Sequence, residues 1–227
     1  LRLPIHDCLP ALLSSMQTHP NTVLSAPPGA GKTTQVPLAL LQFIPAEAGR
    51  IIMLEPRRIA AASAAGYMAA SLGEAVGQTV GYSIRFERKV SRATRIEVVT
   101  EGILTRRLQE DPELKGVACV IFDEFHERSI HADLGLALCL ESQAVLRPDL
   151  KLLVMSATLD CQPIATLLGN APVVSAEGRM FPVETRYLDG DARLPLIQRM
   201  SRAIKQALAE EPGDLLAFLP GSGEIRA

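Results

Sequence analysis

The segment from Ser25 to Thr34 has the residue types and the spacing that phosphate binding needs. It reads Ser-Ala-Pro-Pro-Gly-Ala-Gly-Lys-Thr-Thr, with an apolar run before it and an amphipathic pattern from Gln35 to Phe43 after it. Small residues between a strand and a helix let backbone N–H groups turn toward phosphate oxygens, and the positive end of the helix dipole adds to the attraction. Ala26 stands where the usual pattern has its first glycine. The predicted nucleotide-binding residues are Ala26, Pro27, Pro28, Gly29, Ala30, Gly31, Lys32, Thr33 and Thr34.

Two side chains of this segment carry the chemistry. The Lys32 ammonium group is placed to reach the β- and γ-phosphates of a nucleoside triphosphate, and the Thr33 hydroxyl is placed to ligate Mg²⁺. A nucleoside triphosphate and Mg²⁺ are therefore the predicted ligands of this segment. The alternative is a glycine- and proline-rich turn before an ordinary helix, which would bind neither.

A second acidic motif follows a buried strand. Residues Val117 to Phe122 form an apolar run that ends in Asp123 and Glu124. In a protein with a phosphate-binding loop, Asp123 is expected to hold Mg²⁺, and Glu124 is expected to orient and deprotonate the attacking water. The alternative is an acidic strand end that faces solvent.

Composition limits the class of protein. The chain has 227 residues, of which 48% are hydrophobic, so it accommodates one large domain or one domain and part of another. No apolar run approaches the ~18–20 residues of a membrane span. The four cysteines are widely spaced, which favours reduced thiols and a cytoplasmic protein. Because the net charge is −2, any nucleic-acid surface must be local.

Short apolar runs alternate with longer helical patterns, which predicts a parallel sheet covered by helices on both faces. The predicted strands are Thr22–Ser25, Ile51–Leu54, Ile96–Thr100, Val117–Phe122, Leu152–Ser156 and Val173–Ser175. The predicted helices lie near Thr34–Phe43, Ile59–Leu72, Ile103–Glu110, Ala132–Leu146 and Pro163–Leu168. After residue 180 the pattern predicts a strand at Val183–Leu188, a helix at Leu196–Leu208 and a strand at Leu215–Leu219.

The residues around the acidic pair resemble a known family. Asp123-Glu124-Phe125-His126-Glu127-Arg128 is similar to the DEAH signature of superfamily 2 helicases, with Phe125 in place of alanine, and looks like the HrpB group of bacterial DEAH-box helicases. Other segments that are similar to family motifs occur in the expected order along the chain. They are motif Ia at Glu55–Ala61, a stretch typical of DEAH proteins at Gly81–Glu87, motif Ib at Thr100–Leu104, motif III at Ser156–Thr158 and motif IV at Phe218–Gly221. The resemblance implies a first RecA-like domain at residues 1–180 and the truncated beginning of a second at 181–227.

The resemblance also implies a path for single-stranded nucleic acid, RNA more than DNA. Arg57 and Arg58 follow a predicted strand, where arginines suit backbone phosphates, and Thr100 and Gly102 follow another. A solvated helix start and a plain N-cap are the alternatives for these two pairs.

Three further residues take roles from the family. His126 is expected to link the γ-phosphate site to the second domain and is grouped with the catalytic residues Lys32, Asp123 and Glu124. Ser156 and Thr158 are expected to hydrogen-bond with the acidic loop and to couple hydrolysis to domain motion.

Tyr67 is a predicted base contact. Many DEAH proteins carry an arginine in the helix after motif Ia that stacks on the nucleotide base, and alignment from Pro56 places Tyr67 at that position. A tyrosine ring stacks on any base, so we expect weak discrimination among nucleoside triphosphates. The alternative is a core tyrosine on an alanine-rich helix.

Two functions fit these motifs. The first is an ATP-dependent RNA helicase of the DEAH type, which couples Mg-ATP hydrolysis to translocation on a strand. The family places motifs V and VI, with arginines that stabilise the transferring phosphoryl group, in the remainder of the second domain. The chain alone is therefore expected to bind nucleotide and to be poorly active. The second is a nucleotide-gated regulatory module that acts on protein partners.

Overall fold

The computed structural model describes residues 2–158, 160–177, 182–188 and 193–226. The strands are β1 (Asn21–Ser25), β2 (Arg50–Leu54), β3 (Val80–Ile84), β4 (Glu87–Lys89), β5 (Ile96–Val99), β6 (Val117–Phe122), β7 (Lys151–Ser156) and β8 (Val173–Ser175). The helices are α1 (Ile5–Thr18), α2 (Lys32–Phe43), α3 (Arg58–Ser71), α4 (Glu101–Glu110), α5 (Ile130–Val145), α6 (Gln162–Leu167), α7 (Leu196–Glu210) and α8 (Ser222–Arg226). Short 3₁₀ turns lie at Ala46–Ala48 and Phe125–Glu127. The chain divides into two compact units, Leu1–Arg179 and Met180–Ala227.

The strands of the first unit form one sheet in the order β4-β3-β5-β2-β6-β7-β1-β8. All neighbours pair in parallel except β3 and β4. The carboxyl ends of the parallel strands therefore meet along one side of the sheet, called the C-terminal edge below. Leu54 of β2 lies opposite Phe122 of β6 and Val99 of β5, so the residues that follow these three strands emerge side by side.

Alternate residues of a strand point to opposite sides of the sheet, and nearly every residue of the six inner strands is buried, so both faces of the sheet are covered there. Helices α1, α2 and α3 cover the face that holds Ile51 and Met53. Helices α4, α5 and α6 cover the other face, which holds Ile52 and Leu54. The predicted α/β architecture, with helices on both faces of a mainly parallel sheet, is confirmed.

The first unit contains three elements that sequence reasoning did not predict. Helix α1 buries Ile5, Leu12 and Met16, but Pro10 in its second turn disfavours a helix interior and obscures the pattern. Strands β3 and β4 form a hairpin in which a Cβ atom at Gly81 would lie 2.3 Å from the carbonyl oxygen of Lys89. Only glycine allows this close approach, and a glycine inside a short apolar run weakens the strand signal.

The second unit differs from its predicted strand–helix–strand pattern. Helix α7 confirms the predicted helix at Leu196–Leu208. The strand predictions for Val183–Leu188 and Leu215–Leu219 are wrong, because neither segment has strand structure. A strand requires a hydrogen-bonded neighbour, and the described residues of this unit form no such ladder. An apolar run alone is therefore insufficient to make a strand here.

The four cysteines are buried and free of disulfides. Burial raises the pKa of the Cys119 and Cys139 thiols to about 12, so they act as small core residues rather than nucleophiles. Within the described ranges, no helix is both long and apolar enough to cross a membrane.

Candidate nucleotide and nucleic-acid site

The predicted phosphate-binding loop connects β1 to α2 at the C-terminal edge. Gly31 is the N-cap of α2 with a φ of 93°, a left-handed conformation that favours glycine. Gly29 also has a positive φ, 77°, and a Cβ atom placed there would meet no other atom within 4 Å. The loop is thus a strand–glycine–helix turn whose centre is open and whose helix N-terminus is free to face an anion.

Helix α1 supports the back of this loop. The Ile5 N–H donates to the carbonyl oxygen of Ala30 at 3.2 Å. A Cβ atom at Gly31 would lie 2.7 Å from Cδ1 of Leu3, so the Leu3 side chain packs closely against the start of α2. The segment before α1 therefore helps to set the conformation of the loop, a role that sequence reasoning missed.

Lys32 and Glu124 form an ion pair across the C-terminal edge. The Nζ atom of Lys32 lies 2.9 Å from Oε1 of Glu124, and the Lys32 side chain is only 4% exposed. Glu124 itself has a left-handed backbone with a φ of 50°, which turns the chain sharply after β6. The structure thus brings together two residues that are predicted to act on the same phosphoryl group.

Asp123 is a buried carboxylate with an unused oxygen. Its Oδ1 accepts the Glu124 N–H at 2.8 Å, whereas Oδ2 has no hydrogen-bond partner among the described residues. Burial raises the pKa of Asp123 to about 6, and the Thr33 hydroxyl opposes part of this rise. A hydroxyl and a carboxylate are hard oxygen donors, so Thr33 and Asp123 fit the needs of Mg²⁺.

Glu55 is an acidic residue of the site that sequence reasoning missed. It follows β2 directly, is 4% exposed, and lies at the strand end beside Asp123. Burial raises its pKa to about 7, and the nearby Asp123 carboxylate adds to the rise. Its position at the end of an apolar run, like that of Asp123, was the available signal.

His126 connects the acidic turn to the end of β7. Its Nδ1 accepts the Ala157 N–H at 3.1 Å, and its Nε2 lies 3.4 Å from Oε2 of Glu124. The hydroxyls of Ser156 and Thr158 lie 2.8 Å apart and hydrogen-bond to each other. The observed contact with the acidic turn therefore uses the backbone of Ala157, rather than the two hydroxyls that the family resemblance suggested.

Residues 156–158 also contact the end of the strand that precedes the phosphate-binding loop. The Ser25 hydroxyl donates to the carbonyl oxygen of Thr158 at 3.0 Å. The Ala26 N–H donates to the carbonyl oxygen of Ser156 at the same distance. These bonds join the ends of β1 and β7, which are paired neighbours in the sheet.

The predicted nucleic-acid residues lie at the starts of α3 and α4. Arg57 is paired with Glu127 at 2.5 Å, and Arg58 donates to the carbonyl oxygen of Arg85 at 3.1 Å. Thr100 occupies the N-cap position of α4 but makes no side-chain capping bond, and Gly102 has open space around it. Because β2 and β5 are neighbours, the two helix starts lie side by side on the C-terminal edge.

Tyr67 lies on α3 with 56% of its surface exposed. This exposure excludes the alternative of a core tyrosine. The ring is therefore available for contact with a ligand, and its predicted stacking on a nucleotide base stays a prediction.

Comparisons with known proteins agree with this arrangement. Residues 6–167 match the family described as DEAD/DEAH box helicase. The chain is 54% identical to ATP-dependent RNA helicase HrpB of Escherichia coli (strain K12) over 99% of its own length and 28% of that protein. It is 36% identical to the probable ATP-dependent RNA helicase DHR2 of Saccharomyces cerevisiae over 98% of its length and 31% of that protein.

Solved structures give the same result. A crystal structure of the E. coli DEAH/RHA helicase HrpB matches with a TM-score of 0.92 and 53% identity, over 99% of this chain and 28% of that chain. The chain thus spans less than a third of the length of these relatives, and the predicted resemblance to bacterial DEAH-box proteins is confirmed. Together with the phosphate-binding loop and the Asp123–Glu124 pair, these matches show that the chain belongs to the DEAD/DEAH box helicase family.

Proposed function

We propose that this protein couples the hydrolysis of Mg-ATP to the binding and translocation of single-stranded RNA. The observation that carries the proposal is that Lys32, Glu124 and Asp123 lie at one edge of the sheet, where Oδ2 of Asp123 has no partner in the described part of the chain. Phosphoryl transfer requires a cation for the phosphates, a carboxylate for the attacking water and an oxygen ligand for the metal ion, all beside a phosphate-binding loop. The relatives named above are RNA helicases, which supports RNA as the strand.

The proposed chemistry is an in-line attack of water on the γ-phosphorus. The loop N–H groups and Lys32 hold the phosphates, and the triphosphate replaces Glu124 as the partner of Lys32. Glu124 is then free to orient the water and to accept its proton while the bond from the γ-phosphorus to the bridging oxygen breaks. Mg²⁺, held by Thr33 and Asp123, supplies charge neutralisation of the phosphate oxygens.

The strand would cross the starts of α3 and α4. Arg57 and Arg58 supply guanidinium groups for backbone phosphates, and Thr100 and Gly102 supply a hydroxyl and exposed N–H groups. His126 and residues 156–158 would relay the nucleotide state to the second RecA-like domain. We also infer that Tyr67 stacks on the nucleotide base, which its exposure supports, and that the protein is cytoplasmic.

Steady-state ATP hydrolysis by the full-length natural protein, with and without single-stranded RNA or DNA, tests this function. We expect strong stimulation by RNA, loss of turnover in Lys32→Ala, and normal turnover in Lys115→Ala, whose exposed ammonium pairs with Glu113 far from the loop in sequence. Turnover that depends on Lys32 but ignores both nucleic acids would favour the nucleotide-gated module. It would also remove the roles assigned to Arg57, Arg58, Thr100 and Gly102.

A further inference from the structure

Glu127 connects the acidic turn to the predicted nucleic-acid surface. Its Oε1 lies 2.5 Å from Nη2 of Arg57, and the two residues are 70 positions apart in the chain. Arg57 precedes α3, whereas Glu127 ends the 3₁₀ turn that follows Glu124. The Arg57 guanidinium group therefore binds the acidic turn through Glu127, and it is also the group that is proposed to bind a backbone phosphate.

The same turn is tied to the nucleotide site at its other end. Glu124 pairs with Lys32, and the Glu124 carbonyl oxygen accepts the Glu127 N–H at 2.9 Å. Phe125 is buried and packs edge-on against Phe122 with ring centroids 6.1 Å apart, which fixes the turn to the sheet. One hydrogen-bonded turn thus separates Glu127, which pairs with Arg57, from Glu124, which pairs with Lys32.

We propose that Glu127 is a positioning residue that competes with the backbone phosphate of a bound strand for Arg57. This inference rests on the proposed function, and specifically on the contact between Arg57 and the strand. A phosphate matches the planar geometry of a guanidinium group. Because the Arg57 side chain is 70% exposed, a strand phosphate can reach its guanidinium group without any local unfolding of the protein. A strand that takes Arg57 releases the Glu127 carboxylate, and the acidic turn then loses its outer anchor.

The competition adjusts strand affinity rather than abolishing it. Exposed ion pairs contribute little free energy, so removal of the competing carboxylate is expected to tighten strand binding by about two- to fivefold. By thermodynamic linkage, the strand weakens the Arg57–Glu127 pair by the same factor. Strand binding and the anchoring of the acidic turn are thus reciprocally coupled.

The first test measures the Kd of a labelled single-stranded oligoribonucleotide by fluorescence anisotropy with the full-length natural protein. Glu127→Gln is expected to lower the Kd by about two- to fivefold, and to leave it unchanged when Arg57→Ala is already present. Glu110→Gln is the matched control, since it removes the same charge from an ordinary exposed pair with Arg106 at the far end of α4. Equal tightening in the presence and absence of Arg57 would mean a general charge effect and would overturn the inference.

The second test separates positioning from a purely structural role. The RNA concentration that half-saturates ATP hydrolysis should fall in Glu127→Gln by the same factor as the Kd, while turnover at saturating RNA is retained. A lower turnover with an unchanged half-saturating concentration would overturn the inference and leave the proposed function intact. A wild-type protein that binds no strand would instead refute the proposed function itself.

Discussion

At the residue scale, the C-terminal edge holds four acidic side chains, and only two of them have an ion-pair partner among the described residues. Glu124 is paired with Lys32 and Glu127 is paired with Arg57. Among the described residues, Asp123 and Glu55 have no such ion pair, and burial raises the pKa of both. The edge is therefore prepared for a further cation, which is the expected condition of a site that binds a metal-nucleotide complex.

Glu55 gives a prediction about stability and pH. Its folded pKa, about 7, lies above the ordinary glutamate value, so the folded protein retains a proton that the unfolded chain releases. The ionised group therefore costs stability as the pH rises above that ordinary value, and the full cost, of about 3 kcal/mol, is present above the folded pKa. We expect Glu55→Gln to exceed the wild type in free energy of unfolding at about pH 8 and to equal it at about pH 4.

Urea denaturation of both proteins at the two pH values measures this difference. Glu47→Gln serves as the control, because Glu47 is an exposed carboxyl group on a surface turn. A stability difference that is the same at both pH values would contradict the assignment of Glu55 as a buried acid with a raised pKa.

At the element scale, a buried carboxylate joins three strands and a helix. Glu97 of β5 is fully buried and accepts bonds from Arg107 of α4 at 2.7 and 3.1 Å, from Ser83 of β3 at 2.7 Å and from Arg50 of β2 at 3.2 Å. Burial by itself raises the pKa of Glu97, but the paired arginines, led by Arg107, and Ser83 outweigh it and lower the pKa overall. The network therefore holds α4, and with it Thr100 and Gly102, against the sheet.

Removal of this carboxylate is expected to be costly. Glu97→Gln leaves two guanidinium groups without their anion, and we expect the free energy of unfolding at neutral pH to fall by about 3 kcal/mol. Because the folded pKa is lowered, the contribution is present above the ordinary glutamate pKa and is lost as the pH falls through the folded value. Denaturant titrations at neutral and acidic pH measure both effects.

The matched control for Glu97→Gln is Glu110→Gln, which breaks an exposed i,i+4 pair with Arg106 and should cost less than about 1 kcal/mol. If both substitutions cost the same, the Glu97 network would not be the element that fixes α4.

At the scale of the whole molecule, the first unit carries the residues that are proposed to bind nucleotide, and the second unit contributes α7 and α8 without a described strand. The chain covers 28% of the length of the E. coli relative. The family resemblance implies that the arginines that stabilise the transferring phosphoryl group lie in the remainder of a second domain. Catalysis should therefore depend on sequence that lies outside these 227 residues.

We expect the 227-residue chain to bind Mg-ATP but to hydrolyse it about 10³-fold or more slowly than the full-length protein, because such arginines supply that much rate in related enzymes. A nucleotide-dependent rise in melting temperature, absent in Lys32→Ala, measures binding, and single-turnover hydrolysis measures the rate. Robust duplex unwinding by this chain would contradict the prediction.

Local sequence patterns were enough to predict the main elements of the first unit. The alternation of apolar runs and helical patterns placed six strands and five helices within two residues of their observed bounds. Glycines and acidic strand ends also located the loop between β1 and α2 and the carboxylates that follow β6, because these features depend on neighbouring residues. The two strands of the second unit were predicted wrongly, since strand formation depends on a partner that a local pattern does not contain.

What the sequence determined by itself is the family, the α/β class and the residue types of the site. Only the tertiary structure decided how those residues pair. Lys32 meets Glu124, Arg57 meets Glu127, and Glu97 meets Arg50 because β6 lies between β2 and β7 in a fixed register and β5 lies beside β2. These partners are 47 to 92 positions apart, and their meeting depends on strand order, which no local periodicity encodes.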